Sequence, residues 1–408
     1  MKNKPVYLYI TPFFPTPEEI WSGGYCLDAV KALMRTNRYD VRVLVMKPGN
    51  NYTWEGIPIT RLPVKSFPSG VAPFVFEKVN NKLLIQTLSQ LNINLVDIAI
   101  CHVNTMGGAA YAYFLKKQNP KIKTLIHHHC SYGLTMSSGR LGILPIHATL
   151  LYMYYRRLCM GVDAHVFVSK MSKETFGYYF LKEPEGEIRD IRQQMLLGRF
   201  LPQILLKHSI VLHNGVDSSS FFPNEKTTQN GFTIGCVANY QPLKDHLTLL
   251  KAISLVSKKI PRLRLRLIGS GILFEKCKEY TQSIGISSMV SFEKEVDHSE
   301  LREFYQSLDL FVLPSRLEGF ACVYVESHAC GTPVIGCRTT SLREILPEEE
   351  HHLWLCKPKD AYDLAAKILH YYNKRPQQHL SGPIDIDVLI QRFLCEVEKD
   401  IPLSPKKS

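Results

Sequence analysis

The eleven cysteines contain no C-x-x-C pair, which excludes the common cysteine-based zinc motifs and redox dithiols. No apolar run reaches eighteen residues, so no segment reads as a membrane-spanning helix. There is no block of five to eight residues rich in Lys and Arg, the usual mark of a nucleic-acid patch. The only D-x-D is Asp385-Ile386-Asp387. It opens a predicted helix, where acidic residues favour the dipole, and does not follow a strand as a metal-binding pair would. Lys2 and Lys4 precede an apolar stretch that Pro12 and Pro15 break before a signal-peptide core can form. Together these absences predict reduced thiols, no metal, no nucleic-acid partner and a cytoplasmic location.

What is present is an ordinary globular composition with a basic excess. Of 408 residues, 45% are hydrophobic and 21% charged, which excludes a largely disordered chain. The length exceeds one typical core, so two domains are expected. The net charge of +12 suits an anionic surface, a phosphate-bearing substrate or a merely basic solvated face. The segment from Leu141 to Arg157 combines apolar residues and tyrosines with Arg156-Arg157. It is too short to span a bilayer but suits the surface of one, placing the protein on the inner face of an anionic membrane. An ordinary core helix is the alternative.

Apolar strands alternate with amphipathic helices along the whole chain. Val6–Ile10, Val41–Met46, Ala99–Val103, Thr124–Ile126 and Val166–Ser169 read as strands of a first unit. After a polar stretch from Asn224 to Gly231, the pattern restarts with Phe232–Val237, Leu263–Ile268, Leu310–Leu313, Val334–Gly336 and Trp354–Cys356. Such alternation implies α/β architecture with parallel sheets covered on both faces. In doubly wound sheets, ligands bind beyond the carboxyl ends of the strands. A last helix carries Leu389, Phe393 and Val397 at four-residue steps, an apolar face that either domain is able to receive.

The densest chemistry lies in Pro314-Ser315-Arg316-Leu317-Glu318-Gly319-Phe320-Ala321, running on to Glu326. A strand ends at Leu313, a loop holds Glu318, and a helix follows. Glu326 is expected about two turns into that helix, roughly 12 Å along its axis. The amides after Gly319, around Phe320 and Ala321, would point from a helix start and suit an anion. Taken alone, the two glutamates also fit two unrelated surface positions. Gly23 and Gly24 let backbone approach a ligand closely, or simply make a turn. Gly269-Ser270-Gly271 follows a strand, but Phe274 stands where a dinucleotide fingerprint needs its third glycine. His127-His128-His129 cannot all face one metal from a strand, because side chains alternate.

Glu318-x7-Glu326 within PSRLEGF, followed by Gly331-Thr332-Pro333-Val334-Ile335, resembles the signature of retaining glycosyltransferases of family 4. Asn214-Gly215-Val216-Asp217 with Phe221 and Pro223, and the Thr11-Pro12 to Gly23-Gly24 loop, resemble the same family. The similarity is strong from about residue 211 to 346 and weak between 50 and 95. The resemblance implies a GT-B fold, two Rossmann-like doubly wound domains facing across a cleft. It places an acceptor-binding domain at 1–210, a nucleotide-sugar domain at 211–380, and a C-terminal helix and basic tail at 381–408, packed back on the first domain.

The resemblance also distributes roles. Glu326 would hold the nucleotide ribose, Glu318 the donor sugar, and Lys244 the diphosphate. His127, with His128 second, would lie near the donor sugar, and Gly269 would border the nucleotide. Asn239 stands where the family usually has an arginine, five positions before Lys244. Arg316 is the candidate replacement. The implied reaction transfers a sugar with retention from a nucleotide-diphosphate donor, a UDP-sugar by preference, without a metal or other cofactor. The expected acceptor is a glycan or lipid-linked glycan of surface polysaccharide assembly. A sugar-nucleotide epimerase or hydrolase of the same fold, and a nucleotide-sugar-binding protein with weak turnover, are the rival readings.

Overall fold

The computed structural model describes residues 4–20, 22–66, 73–129, 145–176, 204–224 and 231–400. The chain divides into two compact units, Met1–His213 with Asp387–Ser408, and Asn214–Ile386.

In the first unit, β1 (Val6–Thr11), β2 (Asp40–Val45), β3 (Tyr52–Trp54), β4 (Ile57–Arg61), β5 (Ile98–Asn104), β6 (Lys123–His128), β7 (Ala164–Phe167) and β8 (Ser209–Val211) form one sheet. Its order is β3-β4-β2-β1-β5-β6-β7-β8. Every pairing is parallel except the β3–β4 hairpin. Parallel neighbours need crossovers, and the helices Gly24–Arg35, Glu77–Gln90, Ala109–Gln118 and Pro145–Gly161 lie between successive strands. β1, β5 and β6 are buried almost throughout, as strands covered on both faces must be.

The second unit holds β9 (Phe232–Val237), β10 (Leu263–Ile268), β11 (Val290–Glu293), β12 (Leu310–Leu313), β13 (Val334–Cys337) and β14 (Leu355–Cys356). They form a wholly parallel sheet in the order β11-β10-β9-β12-β13-β14. Chain order reverses direction at β1 in the first sheet and at β9 in the second. The crevices beside β1/β5 and β9/β12 are therefore the topological switch points, where such sheets bind ligands. Arg264 and Arg266 of β10 do alternate against buried leucines. Arg266 grips Glu293 with two bonds of 2.7 Å and lies over the Phe304 ring, whereas Arg264 is exposed.

The junctions fall at 213/214 and 386/387. Residues up to Ile386 stay with the second unit because Val216 pairs with their backbone: its amide donates to Ile384 O at 2.8 Å, and the Ile386 amide donates to Val216 O at 3.0 Å. The last helix, Ile386–Asp400, lies on the first unit. Ile386, Ile390, Phe393, Leu394 and Val397 are buried, while Leu389 is only half-buried. Asp387 pairs with Arg35, and Tyr39 donates to Glu398 at 2.6 Å. Lys123 donates to the carbonyls of Val397 and Glu398, which places a cation at the negative end of the helix. The stretch from Leu141 to Arg157 falls partly outside the described residues. Its described part is helical, and Leu150 and Met153 are exposed.

Phe393 is 2% exposed and rests on the His102 ring. Phe393→Ala should destabilise the first unit by about 3–4 kcal/mol, read as a lowered chemical-unfolding midpoint. An unchanged midpoint would show that the helix contributes nothing to that unit.

Candidate functional site

Two loops meet at the switch point of the second sheet. One leaves β9 at Val237, makes a single turn over Pro242–Lys244, and enters the helix His246–Val256. The other leaves β12 at Leu313 and enters the helix Cys322–Ala329. Lys244 Nζ lies 2.5 Å from Glu318 Oε1, and Ser315 Oγ donates to the same oxygen at 2.5 Å. Both charged side chains are partly exposed. The loops are stitched together by backbone bonds. The Arg316 amide donates to Leu243 O at 2.8 Å, and Arg316 Nη2 donates to Pro242 O at 2.9 Å. Thr339, just past β13, donates to Arg316 O, and Glu318 pairs with Thr340 by backbone. Three successive strand ends thus fix one carboxylate and one ammonium.

The second glutamate of the motif is buried. The helix carrying it starts at Cys322, with Ala321 extended as its cap, so Gly319, Phe320 and Ala321 all precede it. Glu326 is therefore little more than one turn in, about 6 Å from the start and not the two turns expected. Its Oε2 accepts from Tyr305 Oη at 2.7 Å, and its Oε1 lies 3.0 Å from His298 Nε2. Burial holds the Tyr305 phenol well above its usual pKa, so it remains a donor. His298 sits on the short turn His298–Glu300, which Asp297 caps, and its ring lies 5.0 Å from that of Phe221.

Residues 217–381 match the model of the family described as glycosyl transferases group 1. The match lies within the second unit, which is similar to that family. A D-inositol 3-phosphate glycosyltransferase of Corynebacterium urealyticum is 32% identical over 156 residues, 34% of this chain and 37% of the relative. A GDP-mannose-dependent phosphatidylinositol monomannoside mannosyltransferase of Mycolicibacterium smegmatis is 24% identical over 213 residues, 48% and 49% of the two chains. The matched stretches span less than half the length of these two curated relatives. Among solved structures, sucrose-phosphate synthase of Thermosynechococcus elongatus superposes with a TM-score of 0.68 at 16% identity, covering 97% of this chain and 99% of that one. Anabaena HepE in complex with UDP and glucose gives 0.66 at 15%, covering 97% and 99%. These likenesses show the fold, which is GT-B with two Rossmann-like units.

The remaining expected residues fall into two sets, the first of them in the second unit. Gly269 follows β10 with φ +148°, and a Cβ there would lie 2.2 Å from Ala238 O, so the glycine serves close packing of two site loops. Tyr240 and Ser270 lock the same loops with a 2.7 Å backbone bond. Asn239 is exposed on the loop before Lys244. Arg316 Nη2 donates to Pro242 O and holds the Lys244 loop, which leaves the guanidinium further donors.

The other set lies in the first unit, at the carboxyl ends of β1, β5 and β6. Gly23 has φ +75°, and a Cβ would meet Phe13 backbone at 2.5 Å. Gly24 starts the helix Gly24–Arg35. Strand alternation separates the three histidines. His127 and His129 share a face, with ring centroids 4.1 Å apart, beside His102. His128 turns to the opposite face and stacks between His165, Phe167 and Phe176. His127 and His128 thus cannot act on one group together, and the neighbour of His127 is His129. Its Nε2 lies 2.8 Å from Asn104 Oδ1, and its ring packs on Tyr25. Neither ring nitrogen of His127 has a hydrogen-bond partner among the described residues. Among those residues no group of three or more His, Cys, Asp or Glu is placed to hold a metal ion.

His129, His298, Tyr305 and Ser315 are the residues that sequence reasoning passed over. His129 was signalled by the two-residue period of the strand, and Ser315 by its place three residues before Glu318. Nothing local marked His298 or Tyr305.

The histidine cluster makes the first unit acid-sensitive. Burial pushes His102 and His129 down to about 3 and His165 to about 4, and holds His127 and His128 well below 6.5. The native state refuses protons that the unfolded chain accepts below pH 6.5. Stability from these groups is thus complete above pH 6.5 and is lost as pH falls below it. The unfolding midpoint of the first unit should drop between pH 7 and pH 5. His128→Leu should flatten that slope, and a slope identical to wild type would contradict the account.

Proposed function

We propose that this chain is a retaining glycosyltransferase of family 4 that moves a sugar from a nucleotide-diphosphate donor to a glycan or lipid-linked acceptor. The observation that carries the reading is the Lys244–Glu318 pair, held by three strand ends at the switch point of the unit that is similar to glycosyl transferases group 1.

In this reading the anomeric carbon becomes oxocarbenium-like as its bond to the diphosphate oxygen breaks. The electron pair leaves with the diphosphate, and Lys244 takes the charge that builds there. Amides at the start of the helix Cys322–Ala329, beside Gly319, Phe320 and Ala321, share that charge. The acceptor oxygen bonds to the same face, and its proton passes to the departing phosphate. Glu318 positions the sugar hydroxyls, accepting hydrogen bonds as it now does from Ser315, and Glu326 takes the ribose. No step is assigned to a metal or cofactor. The first unit supplies Gly23, Gly24 and His127 to the donor sugar and receives the acceptor. A UDP-sugar is the preferred donor, and HepE, of the same fold, binds UDP and glucose.

One observation favours a second reading. Lys244 already has its charge opposed by Glu318, and Asn239 brings no second cation. A nucleotide-sugar-binding protein with weak turnover fits that balance. An epimerase or hydrolase has no observation in its favour. Turnover of nucleotide sugars by Glu318→Ala, Glu326→Ala and Lys244→Ala separates the readings. A transferase should lose at least about a hundredfold in each, and near-wild-type rates in all three would sink the proposal. Binding without any transfer in the wild type would favour the second reading.

We further propose surface polysaccharide assembly on the inner face of an anionic membrane as the setting. No helix among the described residues is long and apolar enough to cross a membrane. Exposed Val75, Val79, Leu150 and Met153, with Lys78, Lys82, Arg156 and Arg157 in the same segments, suit adsorption to a lipid surface. Phe74 packs on Tyr154, and Glu77 pairs with Arg157, which ties the two segments together. The protein should float with anionic vesicles at low salt and not with neutral ones. No binding to either counts against this setting.

A further inference from the structure

Glu326 is the site residue whose surroundings fit its assigned role least directly. It is 5% exposed, and each carboxylate oxygen already meets a side chain. The two partners differ in kind. Tyr305 is fully buried on the helix Leu301–Gln306, and its ring stacks against Phe304 and Phe311. It is a fixed donor. His298 keeps a quarter of its side chain exposed and sits on a three-residue turn. Its ring leans on Phe221, and its Nε2 covers Glu326 Oε1. A vicinal diol needs both carboxylate oxygens on one side to donate two hydrogen bonds. Tyr305 Oη leaves Oε2 a second lone pair. Oε1 keeps one as well, and its partner His298 is the more exposed of the two and so the one able to give way to a diol.

We propose that His298 gates the ribose carboxylate: in the unliganded protein it occupies the Glu326 oxygen that a ribose hydroxyl takes on binding. The inference rests on Glu326 being the ribose residue of the proposed transferase. It adds a residue that governs how much the ribose contributes to affinity. A ligand with a 2′,3′-diol displaces the imidazole and exchanges one hydrogen bond for two. A ligand lacking the diol has nothing to exchange and leaves His298 in place. The turn carrying His298 is closed by its own capping bonds: Asp297 Oδ1 accepts the Ser299 amide at 2.9 Å, and Glu300 Oε2 accepts the Asp297 amide at 3.0 Å. The imidazole thus rotates away without unfolding the turn.

The test is a binding cycle by calorimetry on the full chain. The ligands are UDP and GDP, each beside its 2′,3′-dideoxy analogue, and the proteins are wild type, His298→Ala, His298→Gln and Glu326→Ala. Removing the competing side chain should tighten the diol ligand roughly three- to tenfold, the worth of one hydrogen bond, and leave the dideoxy ligand unchanged. His298→Gln restores a donor and should return affinity toward wild type. Damage to the fold cannot mimic this pattern, since it weakens both ligands. Diol preference in the wild type that vanishes in Glu326→Ala, with no tightening in His298→Ala, overturns the gate while leaving the ribose assignment standing. No diol preference in wild type, or none lost in Glu326→Ala, overturns the ribose assignment and the gate with it. Failure of both nucleotides to bind overturns both.

Discussion

One oxygen atom, Glu318 Oε1, organises the second unit's site. It receives the Lys244 ammonium and the Ser315 hydroxyl together. Those groups arrive on separate loops, and the loops stay in register because the Leu243 carbonyl accepts from the Arg316 amide and the Pro242 carbonyl from Arg316 Nη2. The arrangement follows from topology. β9 and β12 are neighbours whose onward connections run in opposite directions, so their exits diverge and leave a crevice that must be lined with something polar. A carboxylate and an ammonium in contact satisfy each other in the absence of a ligand. In the proposed transferase they offer an incoming diphosphate sugar a cation for one end and an acceptor for the other.

The first unit solves a different problem. Its central strands carry Tyr7, Tyr9, His102, Asn104 and His127 into the interior of a parallel sheet. Four of these bond one another, Tyr7 Oη lying 2.7 Å from His102 Nδ1 and Tyr9 donating to Asn104 at 3.2 Å, while the His127 ring has only ring contacts with His102 and His129 among the described residues. Desolvation keeps the imidazoles neutral, so the strip carries hydrogen-bonding capacity without charge. The last helix of the chain seals one end of it through Phe393, and Tyr25 beside Gly24 packs near the other. A sheet face built this way is suited to hydroxyl-bearing ligands, while the cation lies in the second unit.

The parts of this molecule legible in its sequence share a cause. β9 and β10 begin and end where the apolar pattern places them, and β1 and β12 lie within a residue of it, because strands buried on both faces leave continuous apolar runs. β3, β4, β8 and β11 did not stand out, being three to five residues long, at or near sheet edges, or half-exposed. The Glu318 and Glu326 motif was legible because its members are close in sequence. The bond between Lys244 and Glu318 spans 74 residues, and only the fold brings the two together. The same holds for His298 and Glu326. The depth of Glu326 in its helix was misjudged because Ala321 caps in an extended conformation and delays the helix to Cys322. β6 runs through His128, so alternate side chains take opposite faces and His128 parts from His127 and His129. The bond from Arg316 to the Pro242 carbonyl is invisible in the sequence, because it needs the neighbouring loop.

The central claim is that the diphosphate of a sugar nucleotide displaces Glu318 from Lys244. A crystal structure of the protein with a bound nucleoside diphosphate tests it most directly. The account predicts a phosphate oxygen within hydrogen-bonding distance of Lys244 Nζ, with the Lys244–Glu318 contact lengthened and Glu318 still held by Ser315. A diphosphate bound away from the ends of β9 and β12, with that contact intact, would contradict it.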